Sequence, residues 1–227
     1  MNATFIILGY GIPKNILKDD NYARYLPLVF NTIFETHRKE KSGRTHVILC
    51  GGPTDMYRPY RRTEAAEMKR LFLKHLKQLR SQDRRQLSLH IERRSLSTLE
   101  NLVFAKELMV KKRIPTKTVT VFCEFTRAQR IKKLGKRIFG PRTDWQVVPI
   151  DFDTSANRYL DREFLTAKES KVLKFDLWAL RNRRNFDRWH NLFVEKLSFL
   201  RTVSPKHQVE AIEQWWRIQF KTLKVPR

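Results

Sequence analysis

The sequence has little cysteine and no clustered histidine. Its two cysteines, Cys50 and Cys123, each end a short apolar run, which indicates buried thiols in a reducing compartment rather than a disulfide scaffold. A chain of 227 residues buries roughly 70% of its unfolded surface on folding, so it needs no covalent staple. The six histidines, at positions 37, 46, 75, 90, 190 and 207, lack the spacing of zinc ligands, which argues against a zinc site.

Long hydrophobic runs are also missing. The apolar segment 4–8 is too short to cross a bilayer, and glycines follow it at once. Hydrophobic residues still make up 41% of the chain and aromatic residues 11%, as is typical of a packed globular protein. We therefore expect a soluble, cytoplasmic protein without a transmembrane segment.

Two phosphate-binding motifs are absent. Gly9 and Gly11 begin a dinucleotide fingerprint, but Lys14 occupies the place of its third glycine, so a standard NAD-type site is not supported. The chain contains no GxxxxGK[ST] loop either.

Acidic residues are half as frequent as basic ones. The chain has 47 Lys and Arg against 23 Asp and Glu, a net charge of +24 that is spread along its length. Such a charge favours polyanions, including nucleic acid. A generally solvated basic surface explains it equally well, so the charge alone does not decide the function.

Apolar runs rich in Val, Ile and Phe alternate with segments of helical apolar spacing. This alternation predicts a three-layer α/β/α, Rossmann-like domain with a mostly parallel sheet over residues 1–151. Residues 152–227 carry helical patterns instead, and we expect them to form a helical cap packed on that domain. The predicted strands are Thr4–Leu8, His46–Cys50, Leu87–Ile91, Thr118–Cys123 and Gln146–Ile150.

Polar clusters follow each predicted strand, at the edge where open α/β sheets bind ligands. Gly9, Gly11, Gly51 and Gly52 allow a close backbone approach, although tight turns alone would also explain them. Thr63 can cap a helix that begins at Glu64, and a carboxylate in the first turn interacts favourably with the helix dipole, which is a sufficient structural reason for Glu64. The functional alternative is that the Glu64 carboxylate faces the cleft. Asp151-x-Asp153 follows the last strand.

The densest cluster spans residues 92–101. Ser97 and Glu100 fit a capping box, which needs no ligand. The remaining polar residues of the cluster, beside a helix N-terminus, suit an anionic or hydroxyl-rich ligand. Those residues are Glu92, Ser95, Thr98 and Asn101.

Arg127 and Arg130 begin a further helix, where a positive charge is unfavourable with the helix dipole. Binding a phosphate or carboxylate in the cleft explains them, because a guanidinium matches such groups bidentately. Solvation on a basic surface is the alternative.

The glycines at 9, 11, 51 and 52, the Thr-Glu-Ala at 63–65 and the E-x-x-S-x-x-T-x-E-N block at 92–101 together resemble the domain-of-unknown-function 218 family of YdcF-, SanA- and ElyC-like proteins. The resemblance covers residues 4 to 150 and implies a Rossmann-like fold with a polar pocket for a nucleotide-like ligand. It would place Gly51, Gly52, Glu64, Glu92, Ser95, Thr98, Glu100 and Asn101 in that pocket. Many members carry a histidine after the fourth strand, and residues 124–130 here contain none.

We therefore expect a protein that binds a nucleotide-like or phosphate-containing small molecule, and a hydrolase or transferase reaction is one hypothesis. Glu64 and Glu92 would be its acid/base carboxylates and Arg127 would neutralise the anion. A nucleotide or S-adenosylmethionine is the expected cofactor class. A divalent cation on Glu64, Glu92, Asp151 and Asp153 is less favoured.

The competing hypothesis is a non-catalytic nucleic-acid binder. Aromatic residues of the C-terminal third lie near arginines and would stack on bases. Their spacing fits buried helix faces at least as well. They are Trp178, Phe186, Trp189, Trp215 and Trp216.

Overall fold

The computed structural model describes residues 3–39, 43–78, 86–152 and 161–222. Its centre is a five-stranded sheet in the order β3-β2-β1-β4-β5, and every pair of neighbouring strands is parallel. The predicted α/β fold is confirmed, and each predicted strand lies within an observed one. The strands are β1 (Ala3–Leu8), β2 (Thr45–Cys50), β3 (Leu87–Glu92), β4 (Thr118–Glu124) and β5 (Asp144–Ile150).

Helices cover both faces of the sheet because successive strand residues point to opposite sides. Phe5 and Ile7 contribute to one core, with α1 and α2; Ile6 and Leu8 contribute to the other, with the later helices. Within the described ranges, no helix combines the length and apolar character needed to cross a membrane. The helices are α1 (Asp20–Lys39), α2 (Glu64–Leu76), α3 (Thr98–Lys112), α4 (Ala128–Phe139), α5 (Arg162–Ala179), α6 (Arg183–Thr202) and α7 (Gln208–Thr222).

The strand order reverses direction between β1 and β4, which makes the gap beyond their carboxyl ends the expected ligand position. Tyr25 of α1 closes this gap from one face of the sheet. Its hydroxyl lies 3.1 Å from the carbonyl oxygen of Leu8 and 3.0 Å from that of Phe122, so it bridges the ends of both strands. Space for a ligand is therefore left on the side of the gap away from α1.

The last three helices, α5, α6 and α7, are called the cap helices below. They join the core of α3 and α4 through Val172, Trp189 and Trp216. An ion-pair fork fixes their position: Arg130 of α4 donates from Nε to Asp176, at 2.5 Å, and from Nη1 to Glu169, at 2.7 Å. Trp189 of α6 donates to the same Asp176 at 2.9 Å. One arginine thus ties two cap helices to the sheet domain.

We expect Arg130→Met to destabilise the protein by about 3 to 5 kcal/mol, because it leaves the buried carboxylate of Asp176 without its cation. Arg137→Met, on the exposed face of the same helix, is the matched control and is expected to change stability by no more than about 0.5 kcal/mol. Urea unfolding at pH 7 measures both. Equal stability of the two variants would contradict the role of the fork.

Candidate functional site

A cavity of about 400 Å³ lies between the carboxyl edge of the sheet and the cap helices. We call it the edge cavity. Its first wall consists of the segments that follow β1 to β4, from Gly9 to Arg130. Its second wall consists of α5, α6 and α7, from Leu165 to Trp216. Two parts of the chain that are far apart in sequence therefore build one site.

The structure brings most of the predicted site residues to the edge cavity. Three others, Gly52, Glu92 and Glu100, are not among the described residues of its wall. The predicted residues that line the cavity are Gly9, Gly11, Gly51, Glu64, Ser95, Thr98, Asn101, Arg127 and Arg130.

Glu64 lies at the start of α2 with only 7% of its surface exposed. Its helix is capped by Thr63, as the sequence predicts, because the Thr63 hydroxyl accepts from the Ala66 N–H at 3.3 Å. The Glu64 carboxylate itself accepts from the hydroxyl of Thr54. Burial raises the pKa of Glu64 above its ordinary value, although the Thr54 bond and the nearby Arg127 oppose the rise. A carboxyl with a raised pKa holds its proton more readily than an ordinary one, as a general acid must.

Two glycines make the space that Glu64 occupies. A Cβ at Gly9 would lie 1.9 Å from Oε2 of Glu64, and one at Gly51 would lie 2.4 Å from the Glu64 Cβ. Gly51 also has φ of +150°, which other residues rarely adopt. The sequence predicts that these glycines admit a ligand or form a turn. The structure shows that they admit a carboxylate of the protein.

Ser95 connects Glu92 to Asn101 in a buried network. The Ser95 hydroxyl lies 2.5 Å from Oε2 of Glu92 and also contacts Oδ1 of Asn101. One hydroxyl proton cannot serve both oxygens, so either Glu92 is protonated or the Asn101 amide turns its NH₂ toward Ser95. Burial raises the pKa of Glu92 despite its bonds from Ser95 and the Arg94 N–H, which favours the protonated form. Glu92 therefore supports the loop that presents Ser95 and Asn101.

Glu100 and Gly52 also have structural partners. Ser97 caps α3 by accepting from the Glu100 N–H at 3.2 Å, while the Glu100 carboxylate accepts from the Leu96 N–H at 2.5 Å and contacts Nδ1 of His190 at 2.8 Å. Glu100 thus links α3 to α6. A Cβ at Gly52 would lie 2.2 Å from the carbonyl oxygen of Ser95, so this glycine lets two loops meet.

The two predicted arginines differ in their surroundings. Arg127 donates to the carbonyl of Gly9 at 3.1 Å and stacks on Tyr10, with 4.9 Å from its guanidinium carbon to the ring centre. Arg130 is only 5% exposed and forms the fork to the cap helices, so it is not a solvated surface residue. Its Nη2 is buried with no hydrogen-bond partner among the described residues.

Sequence reasoning missed two lysines of the second wall. Lys168 of α5 pairs with Glu169 at 2.8 Å. Lys196 of α6 lies over the ring of Trp216 at 5.0 Å and has no ion pair or hydrogen bond within the described part of the chain. The sequence does contain a signal for Lys196: it interrupts the apolar helical stripe that includes Phe193 and Leu200.

Burial and electrostatic repulsion act together on the Lys196 amine. Burial and the neighbouring charges of Lys168 and Arg127 together lower its pKa to about 7, although Glu169 and Glu64 oppose the fall. Burial alone would raise the pKa of Glu169, but Lys168 and Arg130 hold it well below its ordinary value. The edge cavity therefore contains one firmly ionised carboxylate and one amine that titrates near neutrality.

The last predicted cluster is separate from the cavity wall. Asp151 pairs with Arg162 at 2.6 Å, and both side chains are about half exposed. Asp153 lies outside the described residues. Among the residues that are described, no group of three His, Cys, Asp or Glu side chains is arranged to hold a metal ion.

A scan against models of known protein families finds no match to the chain, and searches of curated proteins and of solved structures return none.

The space around Glu64 leads to a test. Gly9 has a backbone conformation that alanine adopts, so Gly9→Ala is expected to act through its contact with the Glu64 carboxylate and to cost about 1 to 3 kcal/mol. In a Glu64→Ala background the same substitution should cost less, by at least about 1 kcal/mol, because only the 2.8 Å contact with the Cβ of residue 64 remains. Urea unfolding of the two single variants and the double variant measures this. An unchanged cost in both backgrounds would show that the Glu64 carboxylate is not the group that needs the glycine.

Proposed function

We propose that this protein binds a small anionic molecule, phosphate-containing or nucleotide-like, in the edge cavity. The observation that carries the proposal is the convergence of Arg127, Lys168 and Lys196 on one cavity at the point where the strand order reverses. These cations come from the turn after β4, from α5 and from α6. Separate elements thus contribute positive charge to one small space.

Two cations of the cavity wall, Arg127 and Lys196, have no ion-pair partner among the described residues. Glu169 and Asp176 neutralise the two cations that contact them, Arg130 and Lys168. Arg127 lies in the field of Glu169, Glu124 and Glu64, and Lys196 in that of Glu169 and Glu64, but neither cation forms an ion pair with a described residue. A bound anion would supply the missing negative charge and would favour the charged form of Lys196.

The rest of the wall suits a ligand with both polar and apolar parts. Hydroxyl and amide groups of Ser95, Thr98 and Asn101 lie on the first wall, while Phe193 and Trp216 lie on the second. A volume of about 400 Å³ is in the usual range for small-molecule sites. A phosphate joined to a hydroxylated or heterocyclic group would match this division.

The resemblance to the domain-of-unknown-function 218 family is part of the proposal, since its polar block provides Ser95, Thr98 and Asn101. If the bound molecule is turned over by a hydrolase or transferase reaction, Glu64 is the carboxyl on the wall that could move a proton. Glu92 is engaged in supporting the loop.

The proposal predicts selective binding of charged ligands. AMP should bind at least about ten times more tightly than adenosine at pH 7 in calorimetry, because only AMP carries the phosphate. Sulfate, whose charge is constant over this range, should stabilise the protein more at pH 6 than at pH 8.5. The sign follows from Lys196, which is protonated below its pKa of about 7 and neutral above it.

Lys196→Met should weaken sulfate binding at pH 6 and remove most of its pH dependence. Lys174→Met, an exposed lysine of α5, is the control and should behave like the wild type. Equal binding of AMP and adenosine, or identical behaviour of the two variants, would contradict the proposal.

A second candidate function rests on α4. Its exposed face carries Lys132, Lys133, Lys136 and Arg137, and α4 contains no acidic residue. Such a face suits the phosphates of a nucleic acid. The aromatic residues that would add stacking are engaged in the core: Trp189 and Trp216 are buried, and Trp178, Phe186 and Trp215 pack against the same cluster.

If α4 binds nucleic acid, replacing its four exposed basic residues by Gln should weaken the binding of single-stranded RNA. Each lost phosphate contact should also make the plot of log affinity against log salt concentration less steep, by about 0.7 in slope. Lys196→Met should leave both unchanged. A mobility-shift titration without any salt-sensitive complex would remove this candidate.

A further inference from the structure

We propose that Lys196 forms an imine with a small aldehyde or ketone that carries an anionic group. The proposal deepens the proposed function, on which it rests, by naming the substrate class of the edge cavity.

The Lys196 amine is not committed to a carboxylate. Within the described part of the chain it has no ion pair or hydrogen bond, whereas the neighbouring Lys168 pairs with Glu169 at 2.8 Å. Its contacts are with aromatic rings, 5.0 Å from the centre of Trp216 and 6.0 Å from that of Phe193. Lys196 is one of the residues that line the edge cavity. The amine is thus placed to react with a molecule inside the cavity.

The surroundings of Lys196 keep a useful fraction of the amine neutral. The charged groups that act on it are Lys168 and Glu169 of α5, Arg127 after β4 and Glu64 of α2. Burial and the two cations favour the neutral, nucleophilic form. Of these cations, Arg127 can pair with a carboxylate or phosphate of the substrate, which would bring the substrate's carbonyl group to the amine.

The reaction is balanced without a further reagent. The nitrogen lone pair of Lys196 forms a bond to the carbonyl carbon, and the electron pair of the C=O bond moves to oxygen. Transfer of one amine proton to that oxygen gives a carbinolamine. Loss of the hydroxyl group with the second amine proton then releases water and leaves the C=N bond.

Reductive trapping tests the proposal on the wild-type protein. Glyoxylate, a small aldehyde with a carboxylate, is added with sodium cyanoborohydride, and peptide mapping measures the modification of each lysine. We expect Lys196 to react at least about ten times faster than the exposed Lys174, and the preference to be smaller for acetaldehyde, which lacks the anion. The rate of imine formation at Lys196 should rise with pH and level off just above pH 7.

Each result decides one question. Equal rates at Lys196 and Lys174 would overturn the imine proposal, and sulfate binding would then show whether the anion site still stands. If the ratio of the Lys196 rate to the Lys174 rate is the same for glyoxylate and acetaldehyde, the substrate does not need an anionic group, and that part of the proposal is overturned. Protection of Lys196 by sulfate, together with loss of the glyoxylate preference in Arg127→Met, would support both proposals.

Discussion

One buried guanidinium group, that of Arg130, holds the second wall of the edge cavity against the sheet domain. Arg130 contacts Glu169 and Asp176, which lie seven residues apart and therefore on one face of α5. Buried charges are costly unless they are paired, so this contact fixes both the position and the rotation of α5 over the end of β4. Trp189 extends the arrangement to α6 through the same Asp176. This fork therefore sets the position of the second wall, which carries Lys168 and Lys196.

The sequence predicts the sheet well and the site in part. Apolar runs locate all five strands. β1, β2 and β4 are largely buried, as a strand covered on both faces must be apolar, whereas the edge strands β3 and β5 are only partly buried. The first wall follows from the rule that strand ends meet at one edge, which brings Gly9, Ser95 and Arg127 together. The second wall could not be predicted, since no local pattern tells which face of a helix will meet a distant loop. Lys196 is visible in the sequence only as an interruption of an apolar stripe.

The polar residues of the block at 92–101 have two different roles. Ser95 and Asn101 face the cavity, whereas Glu92 and Glu100 hold the surrounding loop and helices in place. Sequence pattern does not separate these roles, because a carboxylate that accepts from backbone N–H groups and one that meets a ligand have the same chemistry. The orientation of each side chain in the structure shows which of the two roles it has.

The two walls of the edge cavity come from distant parts of the chain, so they are made at different times during translation. Lining residues run from Gly9 to Trp216, so the two walls leave the ribosome far apart in time. The segments of the first wall, which end at Arg130, leave the ribosome before the cap helices are made. The amine of Lys196 and the ring beneath it meet only after α7 has emerged. A ligand retained by both walls would therefore stabilise chains translated through α7 and give no advantage to shorter nascent ones.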